Sequence, residues 1–446
     1  ILNDQIKEET TEIFFGGSAL NAFQLVAQKS DLRHTGKWDL ATSATALDFN
    51  LDGRLDVFVG RQKHHEKSEN PVDGWPDSLF QNLGKRTFTE VTKQVGINTQ
   101  GIVYDEDYHS FAWSVTHCDL NNDKYSEIII GAYGRLPNQL WQAVPQKDGS
   151  VLYKNRSVDS ALAFDQRGKS YQEGGNTGGI ICADFNNDGF LDLFLPEIRH
   201  WWAGESSDQS QLLLNLGKRD VSFKRLSPEE SGLSEKHQLK KFWNEGHLGA
   251  TALDFDNDGD LDLLIANGEY PGTRALIFEQ YRPLKFREVA LNLGVEHGRS
   301  LGAVSVDWDR DGDLDLFLGH GLSNCNQQFK KKEHRELRNA PYDCNRDWRL
   351  RYFENKEGSK NHWISIRLEG QRSNRSAIGA RVVFSNNKLP QKKITRWVGG
   401  GHGIGGYQED FFIHAGLGQL SEIDVEIFWP HRLSKSQKLR LKANQH

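Results

Sequence analysis

Five short segments of the chain carry acidic and amide side chains at one fixed spacing. The first reads DFNLDGRLD from Asp48, and the others begin at Asp119, Asp184, Asp254 and Asp307. Oxygen-bearing side chains occupy positions 1, 3, 5 and 9 of each segment, and glycine occupies position 6 in four of the five. Closely spaced oxygen donors around a sharp turn suit a hard cation that takes many oxygen ligands, as Ca²⁺ does. The spacing therefore predicts five calcium loops.

The predicted ligands are the side chains at positions 1, 3, 5 and 9, together with the residue at position 7, which can offer its main-chain carbonyl. Loop by loop they are Asp48, Asn50, Asp52, Arg54 and Asp56; Asp119, Asn121, Asp123, Tyr125 and Glu127; Asp184, Asn186, Asp188, Phe190 and Asp192; Asp254, Asp256, Asp258, Asp260 and Asp262; and Asp307, Asp309, Asp311, Asp313 and Asp315. In the second loop Lys124 replaces glycine and Glu127 replaces the last aspartate. We expect that loop to bind the cation most weakly.

Each loop lies between two short apolar segments, such as ATAL before the first loop and VFVG after it. These segments are rich in β-branched residues and lack the 3.6-residue periodicity of helices. A bidentate glutamate at position 12, which a helix–loop–helix calcium site would need, is also missing. One copy would fit an ordinary acidic surface turn, but five copies in the same context favour metal binding. The pattern predicts five β-hairpins whose turns are the calcium loops.

The hairpins belong to larger repeats. Each hairpin is followed by a third strand pattern, such as SLFQN at 78, and four are followed by a fourth, such as FTEV at 88. A four-stranded unit repeated in tandem predicts a β-propeller. The fifth unit lacks its fourth strand, and we expect residues 23–27, FQLVA, to supply it. The predicted fold is therefore an all-β propeller of five blades, closed by the N-terminal strand.

The last part of the chain has a different pattern. From residue 361 onward, apolar and polar residues alternate in segments such as WISIRL, ARVVF and VEIFW, as in half-buried antiparallel strands. The pattern predicts a small β-sandwich docked on the propeller, with domains at 1–358 and 359–446. The glycine-rich GGGHGIGG at 399–406 follows a strand and opens no helix, so it does not predict a nucleotide cradle.

These motifs resemble known families. The loop-bearing repeats resemble the FG-GAP/VCBS type found in integrin α-subunit propellers. The tail resembles the ASPIC/UnbV domain through SNRSAIGARV, the glycine-rich GGGHGIGGY and HAGLG at 414–418. Their combination is similar to the cartilage acidic protein family and its bacterial relatives. The resemblance implies an exported calcium-binding protein and leaves its molecular activity open.

Composition narrows the class of protein. The formal net charge is −6, and the acidic residues are concentrated in the five loops. A nucleic-acid partner would require a basic stripe, which the sequence lacks. No apolar run reaches the roughly 18 residues that suggest a membrane span. Loops of this kind with weak affinity suit the millimolar calcium found outside cells, so we expect an extracellular or periplasmic protein.

The four cysteines fall into two pairs with different expected roles. Cys325 and Cys344 bracket a polar stretch with no core of its own, and we expect a disulfide to join them. Cys118 and Cys182 lie inside apolar runs next to calcium loops. We expect these two to be small core residues.

A ligand surface is predicted on the rim opposite the calcium loops. The connections between the second and third strands of each blade emerge there, and long loops on a rigid scaffold commonly carry binding groups. The candidate ligand-binding residues in these connections are Trp201, Trp202, His200, Arg61 and Tyr270. Flat aromatic faces beside charged groups suit a sugar, whereas packing between blades is the structural alternative.

A second candidate site lies near the propeller axis. Alignment of the repeats places His109, His247, His297, His320 and Glu197 at strand ends on that same rim. Several imidazoles and a carboxylate suit a transition metal such as Zn²⁺, Cu²⁺ or Fe²⁺, or can act as acid and base groups. The alternative is that they are ordinary polar residues of the rim.

Two functions fit these features. The first is an exported calcium-binding propeller that binds a glycan or an extracellular protein on the rim opposite the calcium loops. The second is a carbohydrate-active hydrolase or lyase that uses the histidines and Glu197, with one transition metal in addition to calcium. The chain contains no nucleophile elbow, HExxH motif or phosphate-binding glycine loop.

Overall fold

The computed structural model describes residues 14–16, 23–25, 41–61, 76–99 except 86, 111–168, 175–235, 244–321 except 269 and 271, 350–403 and 408–446. The described part of the repeat region forms five consecutive antiparallel sheets, preceded by a short ladder of two strands.

The strands of the repeat region follow the predicted order. They are β1 (Phe14–Gly16) and β2 (Phe23–Leu25); β3 (Ala41–Leu47), β4 (Asp56–Arg61), β5 (Ser78–Gly84) and β6 (Thr87–Glu90); β7 (Ala112–Cys118), β8 (Glu127–Ala132), β9 (Gln139–Pro145) and β10 (Val151–Asn155); β11 (Ile181–Ala183), β12 (Asp192–Leu195), β13 (Ile198–His200), β14 (Gln211–Asn215) and β15 (Phe223–Leu226); β16 (Asn244–Leu253), β17 (Asp262–Asn267), β18 (Leu276–Arg282) and β19 (Lys285–Glu288); and β20 (Ser300–Val306), β21 (Asp315–His320) and β22 (Arg351–Phe353). A 3-10 helix at Trp201–Ser206 and the one-turn helix α1 (Pro228–Ser231) lie in connections.

All five predicted hairpins are present. In the first blade Leu47 at the end of β3 pairs with Asp56 at the start of β4, so the predicted calcium loop is the hairpin turn. The same pairing joins β7 to β8, β11 to β12, β16 to β17 and β20 to β21. Strand β13 adds a fifth strand to the sheet of the fourth blade by pairing with the start of β16.

The second strand of each blade is apolar at consecutive positions because both of its faces are buried. In β8, Ile128 and Ile130 pack in the cluster shared with the first blade, whereas Ile129 packs in the cluster shared with the third. Successive side chains of a strand point to opposite faces, which produces this division. Burial of each such side chain contributes roughly 1.5–3 kcal/mol, so the contacts between blades hold the propeller together.

The closure of the ring by the N-terminal strand is not confirmed. Strand β2 pairs antiparallel with β1, and the fifth blade has three strands within the described residues. Pairing of β2 with β1 closes a connection of only six residues and therefore loses little chain entropy. Pairing of β2 with β22 would close a loop of several hundred residues and lose more.

Cys118 is buried in a core cluster and Cys182 packs against that cluster, as predicted, but the two residues also form a disulfide, which the sequence analysis did not predict. Cys118 ends β7 and Cys182 lies in β11, the first strands of neighbouring blades, and their Cα atoms are 6.5 Å apart. That separation lies within the range a disulfide can span. The predicted partners Cys325 and Cys344 lie outside the described residues.

The tail folds as two facing sheets, as predicted. Its strands are β23 (His362–Arg367), β24 (Arg381–Ser385), β25 (Lys393–Trp397), β26 (Phe412–Gly418), β27 (Glu422–Phe428) and β28 (Gln437–Lys442), after a 3-10 helix at Gly358–Lys360. Strands β25, β24, β27 and β28 form one sheet, and β23 and β26 form the other. Phe384, Ile394 and Leu417 are among the fully buried side chains of their shared core. The all-β propeller with a second β domain is therefore confirmed.

The glycine-rich segment lies along the first strand of the first blade. Thr45 Oγ1 donates to the carbonyl of Gly401 at 2.8 Å, and the Ala46 amide donates to the carbonyl of Gly400 at 2.9 Å. A Cβ at residue 400 would lie 1.7 Å from the carbonyl oxygen of Ala46, so only glycine fits there. The run of glycines thus serves packing of the tail against the propeller.

Candidate metal loops and aromatic surface

The first three predicted calcium loops share one hydrogen-bond pattern. In the first loop Asp48 Oδ1 accepts the amide of Asp52 at 2.9 Å, and Asp48 Oδ2 accepts the amide of Gly53 at 2.9 Å. Asp119 and Asp184 make the equivalent pairs of bonds, all between 2.8 and 3.0 Å. The carboxylate at position 1 therefore fixes the turn of the loop around the predicted cation position.

In the first, third, fourth and fifth loops, the carboxylate at position 9 ties the loop to the third strand or to the residues just after it. Asp56 Oδ2 accepts the amide of Phe49 at 3.2 Å, and Asp56 Oδ1 accepts the amide of Asn82 at 2.7 Å. Asp192, Asp262 and Asp315 likewise accept one amide from position 2 of their own loop and one amide from the third strand or just after it. Glu127 accepts the position-2 amide of its loop, that of Leu120. Position 9 thus has a structural role that spacing alone did not reveal.

The fourth and fifth loops hold the most concentrated donors. One carboxylate oxygen each from Asp254, Asp256 and Asp258 lies within 4.8 Å of the other two. Asp307, Asp309 and Asp311 form a second group of three carboxylates that meets the same distance limit. These are the groups of three His, Cys, Asp or Glu ligands within the described part of the chain. Three convergent carboxylates with partial burial are a donor set that fits Ca²⁺.

Burial and mutual repulsion both disfavour charge in the fourth loop. Burial, followed by the charges of Asp254 and Asp256, raises the pKa of Asp258 to about 8. Burial likewise raises the pKa of Asp254 to about 6, against the opposing effect of Arg396. A bound divalent cation would offset both effects, because it supplies the opposite charge at the centre of the cluster.

The second loop is the one predicted to bind the cation most weakly. Lys124 at position 6 has a φ of +81°, a conformation that glycine adopts without strain. Its Nζ donates to the carbonyls of Ser434 at 3.0 Å and His431 at 3.4 Å in the tail. That this loop binds calcium most weakly stays a prediction.

The predicted axial group is partly brought together. The rings of His297 and His320 lie edge to face with centroids 5.9 Å apart. His297 Nδ1 contacts Ser300 Oγ at 2.6 Å, and His320 Nδ1 donates to the carbonyl of Gly298 at 2.9 Å. His109 lies outside the described residues.

Glu197 and His247 are linked through Ser210, because the Glu197 amide donates to Ser210 Oγ at 2.9 Å and that oxygen also contacts the His247 ring. Glu197 is buried and accepts the Asn176 amide at 2.7 Å and Thr177 Oγ1 at 2.6 Å. Its burial, followed by the charge of Asp208, raises the pKa of Glu197 to about 8. His247 Nδ1 contacts Ser210 Oγ at 2.6 Å. Within the described residues no group of three metal ligands includes a histidine, so the axial metal site stays a prediction.

An aromatic surface occupies the predicted rim. Trp202 is 58% exposed, and the ring of His200 stacks on it with centroids 5.2 Å apart and planes inclined by 21°. The Arg135 guanidinium lies 5.3 Å from the centre of the Trp202 ring. Tyr270 is buried, and its hydroxyl contacts His200 Nδ1 at 2.9 Å, which holds the imidazole in its stacking position.

The surface extends to the second blade. Trp113 packs against the buried cluster that contains Tyr270, and its ring meets that of Tyr133 edge to face at 4.4 Å. Tyr133 is 36% exposed and Trp201 is 37% exposed. Sequence reasoning missed Tyr133 and Arg135, although both lie in the second-blade connection GAYGRLP on the predicted rim.

Arg61 does not belong to this surface. It is 1% exposed, its amide donates to Asp77 Oδ1 at 2.8 Å, and its Nη1 donates to the carbonyl of Pro76 at 2.9 Å. A side chain buried at the end of β4 cannot meet a ligand on the rim.

The chain is a β-propeller protein with FG-GAP-like repeats and an ASPIC and UnbV domain. Residues 48–130 and 239–318 match the FG-GAP-like repeat, and residues 370–446 match the ASPIC and UnbV domain. It is similar to Cartilage acidic protein 1 of Xenopus tropicalis, at 28% identity over 94% of this chain and 59% of the relative. The mouse protein of the same name is 28% identical over 56% of this chain and 33% of the relative. The chain spans less than two thirds of the length of these relatives.

Two solved structures share a distant likeness. The crystal structure of the rhamnogalacturonan lyase YesW aligns with a TM-score of 0.34 and 14% identity, covering 72% of this chain and 51% of that one. The Vibrio cholerae biofilm matrix protein Bap1 aligns with a TM-score of 0.28 and 10% identity, covering 98% and 71%. No helix among the described residues is long and apolar enough to cross a membrane.

Proposed function

We propose that this protein is an exported calcium-binding propeller that holds a glycan on the aromatic surface of His200, Trp201, Trp202, Tyr133 and Arg135. The observation that carries the proposal is the exposed Trp202 ring, positioned by the His200 stack and flanked by the Arg135 guanidinium. An exposed, immobilised indole beside a hydrogen-bond donor suits a sugar ring, whose C–H face packs on aromatics and whose hydroxyls take polar partners.

The electrostatic environment of His200 favours the uncharged form of the imidazole that stacks on Trp202. Burial, followed by the positive charge of Arg135, lowers the pKa of His200, so its imidazole is uncharged at neutral pH. The hydroxyl of Tyr270 then has a neutral nitrogen as its partner. Arg135 is the cation beside the Trp202 ring, and it supplies donors for the hydroxyl or carboxylate oxygens of a glycan.

Calcium is proposed to stiffen the hairpins that support this surface. The oxygen donors of the five loops and the convergent carboxylates of the fourth and fifth loops support that role. The disulfide between neighbouring blades fits an oxidising compartment, which supports export. The loops and the aromatic surface lie at opposite ends of the strands, so calcium is expected to act through scaffold rigidity.

A glycan array with the purified protein tests the ligand. We expect binding that Trp202→Ala lowers by at least tenfold, because the substitution removes the platform face. Tyr281→Ala is the matched control, since Tyr281 is 45% exposed with Arg287 5.4 Å from its ring but lies on β18, away from this rim. An equal loss of glycan binding in both variants would contradict the glycan assignment. Binding of proteins but of no glycan on this rim would contradict it too.

Elemental analysis tests the metal. We expect calcium as the stoichiometric metal of the purified protein. A stoichiometric transition metal that is lost on His320→Ala would instead favour the carbohydrate-active enzyme with an axial metal site.

A further inference from the structure

The residue at position 4 of each calcium loop has a left-handed backbone. Its φ is +54° at Leu51, +61° at Asn122, +55° at Asn187, +59° at Asn257 and +62° at Arg310. Asparagine tolerates this conformation better than most residues with a Cβ. Position 4 lies between the ligand positions 3 and 5 and is not itself a predicted ligand, so these asparagines are available for another purpose.

Each of the three asparagines donates a hydrogen bond to the loop of the next blade. Asn122 Nδ2 donates to the carbonyl of Gly189 at 3.0 Å, which is position 6 of the third loop. Asn187 Nδ2 donates to Asp260 Oδ1 at 2.9 Å, which is position 7 of the fourth loop.

The third link ends at the fifth loop. Asn257 Nδ2 donates to the carbonyl of Gly312 at 2.9 Å, which is position 6 of that loop. Together the links run in one direction, from the second loop to the fifth. The first loop has Leu51 at this position, whose side chain has no polar atom and cannot form the link.

Asn257 also joins the loops to the tail. Its side chain is fully buried, and Nδ2 donates to the carbonyl of Gly358 at 3.0 Å as well. His414 Nε2 donates to Asn257 Oδ1 at 2.6 Å. These bonds fix the amide orientation, because both donor contacts are to carbonyl oxygens. The fourth loop therefore shares one side chain with the fifth loop and the tail.

We propose that Asn122, Asn187 and Asn257 form a relay that couples calcium binding in the second to fifth loops, while the first loop binds independently. The inference rests on the proposed calcium binding. A cation orders positions 3 to 7 of its loop, and the position-4 amide then holds position 6 or 7 of the next loop in place. The next loop has less conformational freedom to lose when it binds, which produces positive coupling.

One net hydrogen bond corresponds to about a two- to tenfold change in affinity of the neighbouring loop. Terbium luminescence can report on the fifth loop, because Trp308 occupies position 2 of that loop, where the other loops have Phe49, Leu120, Phe185 and Phe255. Terbium emission excited through tryptophan is titrated in the full chain, and the component lost in Trp308→Phe is assigned to the fifth loop.

A double-mutant cycle tests the link. Asp256→Asn removes a ligand of the fourth loop, and we expect it to lower terbium affinity at the fifth loop about two- to tenfold. In the Asn257→Gly background, which keeps the left-handed backbone accessible, the same substitution should have no further effect. Additive effects, or no effect of Asp256→Asn on the fifth loop, would overturn the relay.

A second variant leaves the buried Asn257 side chain unchanged. Asn187→Gly breaks the link to Asp260 and leaves the tail contacts of Asn257 in place. We expect calorimetry to show weaker calcium binding than in the control Lys85→Gly, which changes an exposed left-handed residue outside the loops. Equal affinities in the two variants would count against the relay alone, whereas absence of terbium and calcium binding in the wild type would reject the proposed calcium function.

Discussion

Position 6 of the calcium loops requires a backbone conformation that suits glycine. Gly189 has a φ of +96°, and a Cβ there would meet no atom within 4 Å. We therefore expect Gly189→Ala to destabilise the protein by about 1–2 kcal/mol through backbone strain alone. Urea unfolding measures the change. Gly319→Ala is the control, because its Cβ would have only ordinary contacts at 3.7 Å and its φ is not positive.

Glu197 should make stability depend on pH. The pKa of Glu197 rises from 4.5 to about 8 in the folded protein, mainly through burial. The folded state then binds a proton that the unfolded state has released, so stability falls as pH rises from 4.5 to about 8. Glu197→Gln removes this dependence and keeps an acceptor for the Asn176 amide.

We expect Glu197→Gln to gain stability relative to the wild type by up to about 1.4 kcal/mol per pH unit across that interval. Chemical denaturation at a series of pH values measures the difference. Glu229→Gln, at an exposed position in α1, is the control. A constant difference for Glu197→Gln would show that its carboxyl group is ionised normally in the folded protein.

At the residue scale, sequence reasoning succeeded where the local structure depends on short-range spacing. The loop positions follow from spacing within nine residues, which is why all five hairpin turns were predicted. The contact between Arg135 and Trp202 joins the second and third blades, and spacing within one repeat contains no information about it. The burial of Arg61 was missed for the same reason, since it depends on the packing of Pro76 and Asp77.

The disulfide between β7 and β11 acts at the scale of elements, because it joins the first strands of two blades. Cys118 and Cys182 are 64 residues apart in the sequence, so the bond restricts a long loop in the unfolded chain. We expect Cys118→Ala with Cys182→Ala to lower the free energy of unfolding by about 2–4 kcal/mol. Reductant should lower the melting temperature of the wild type, and any change it causes in the double variant would reveal a contribution from other cysteines.

The same pair shows what limits prediction at this scale. Apolar strands flanking acidic loops identified the first two strands of every blade, because each blade repeats one local pattern. Whether two cysteines in such strands meet depends on how neighbouring blades face each other. The pairing of β2 with β1 likewise reflects a local partner that periodicity does not distinguish from a distant one.

At the scale of the whole molecule, the tail and the calcium loops form one interface. Each loop contacts the tail through one of these pairs: Asn50 with Arg432, Lys124 with Ser434, Asp184 with Thr395, Asp254 with Gly416 and Asp307 with His446. The Asp254 carboxylate accepts the Gly416 amide at 2.9 Å and lies 3.4 Å from Arg396. Ordered loops are therefore needed for docking of the tail, and they are the same loops that we propose bind calcium.

Chelation should consequently affect both domains. A metal that binds only the folded state stabilises it by about 2.7 kcal/mol per site at a hundred times its Kd. We expect excess chelator to lower the melting temperature and to speed limited proteolysis in the connection at 354–361, because the repulsive carboxylates would loosen the surface on which the tail sits. Refilling with calcium should restore both properties, whereas magnesium should restore less, since it requires a smaller octahedral site. An unchanged melting curve in excess chelator would mean that hydrogen bonds such as that of Asp56 with Asn82 hold the loops without a metal.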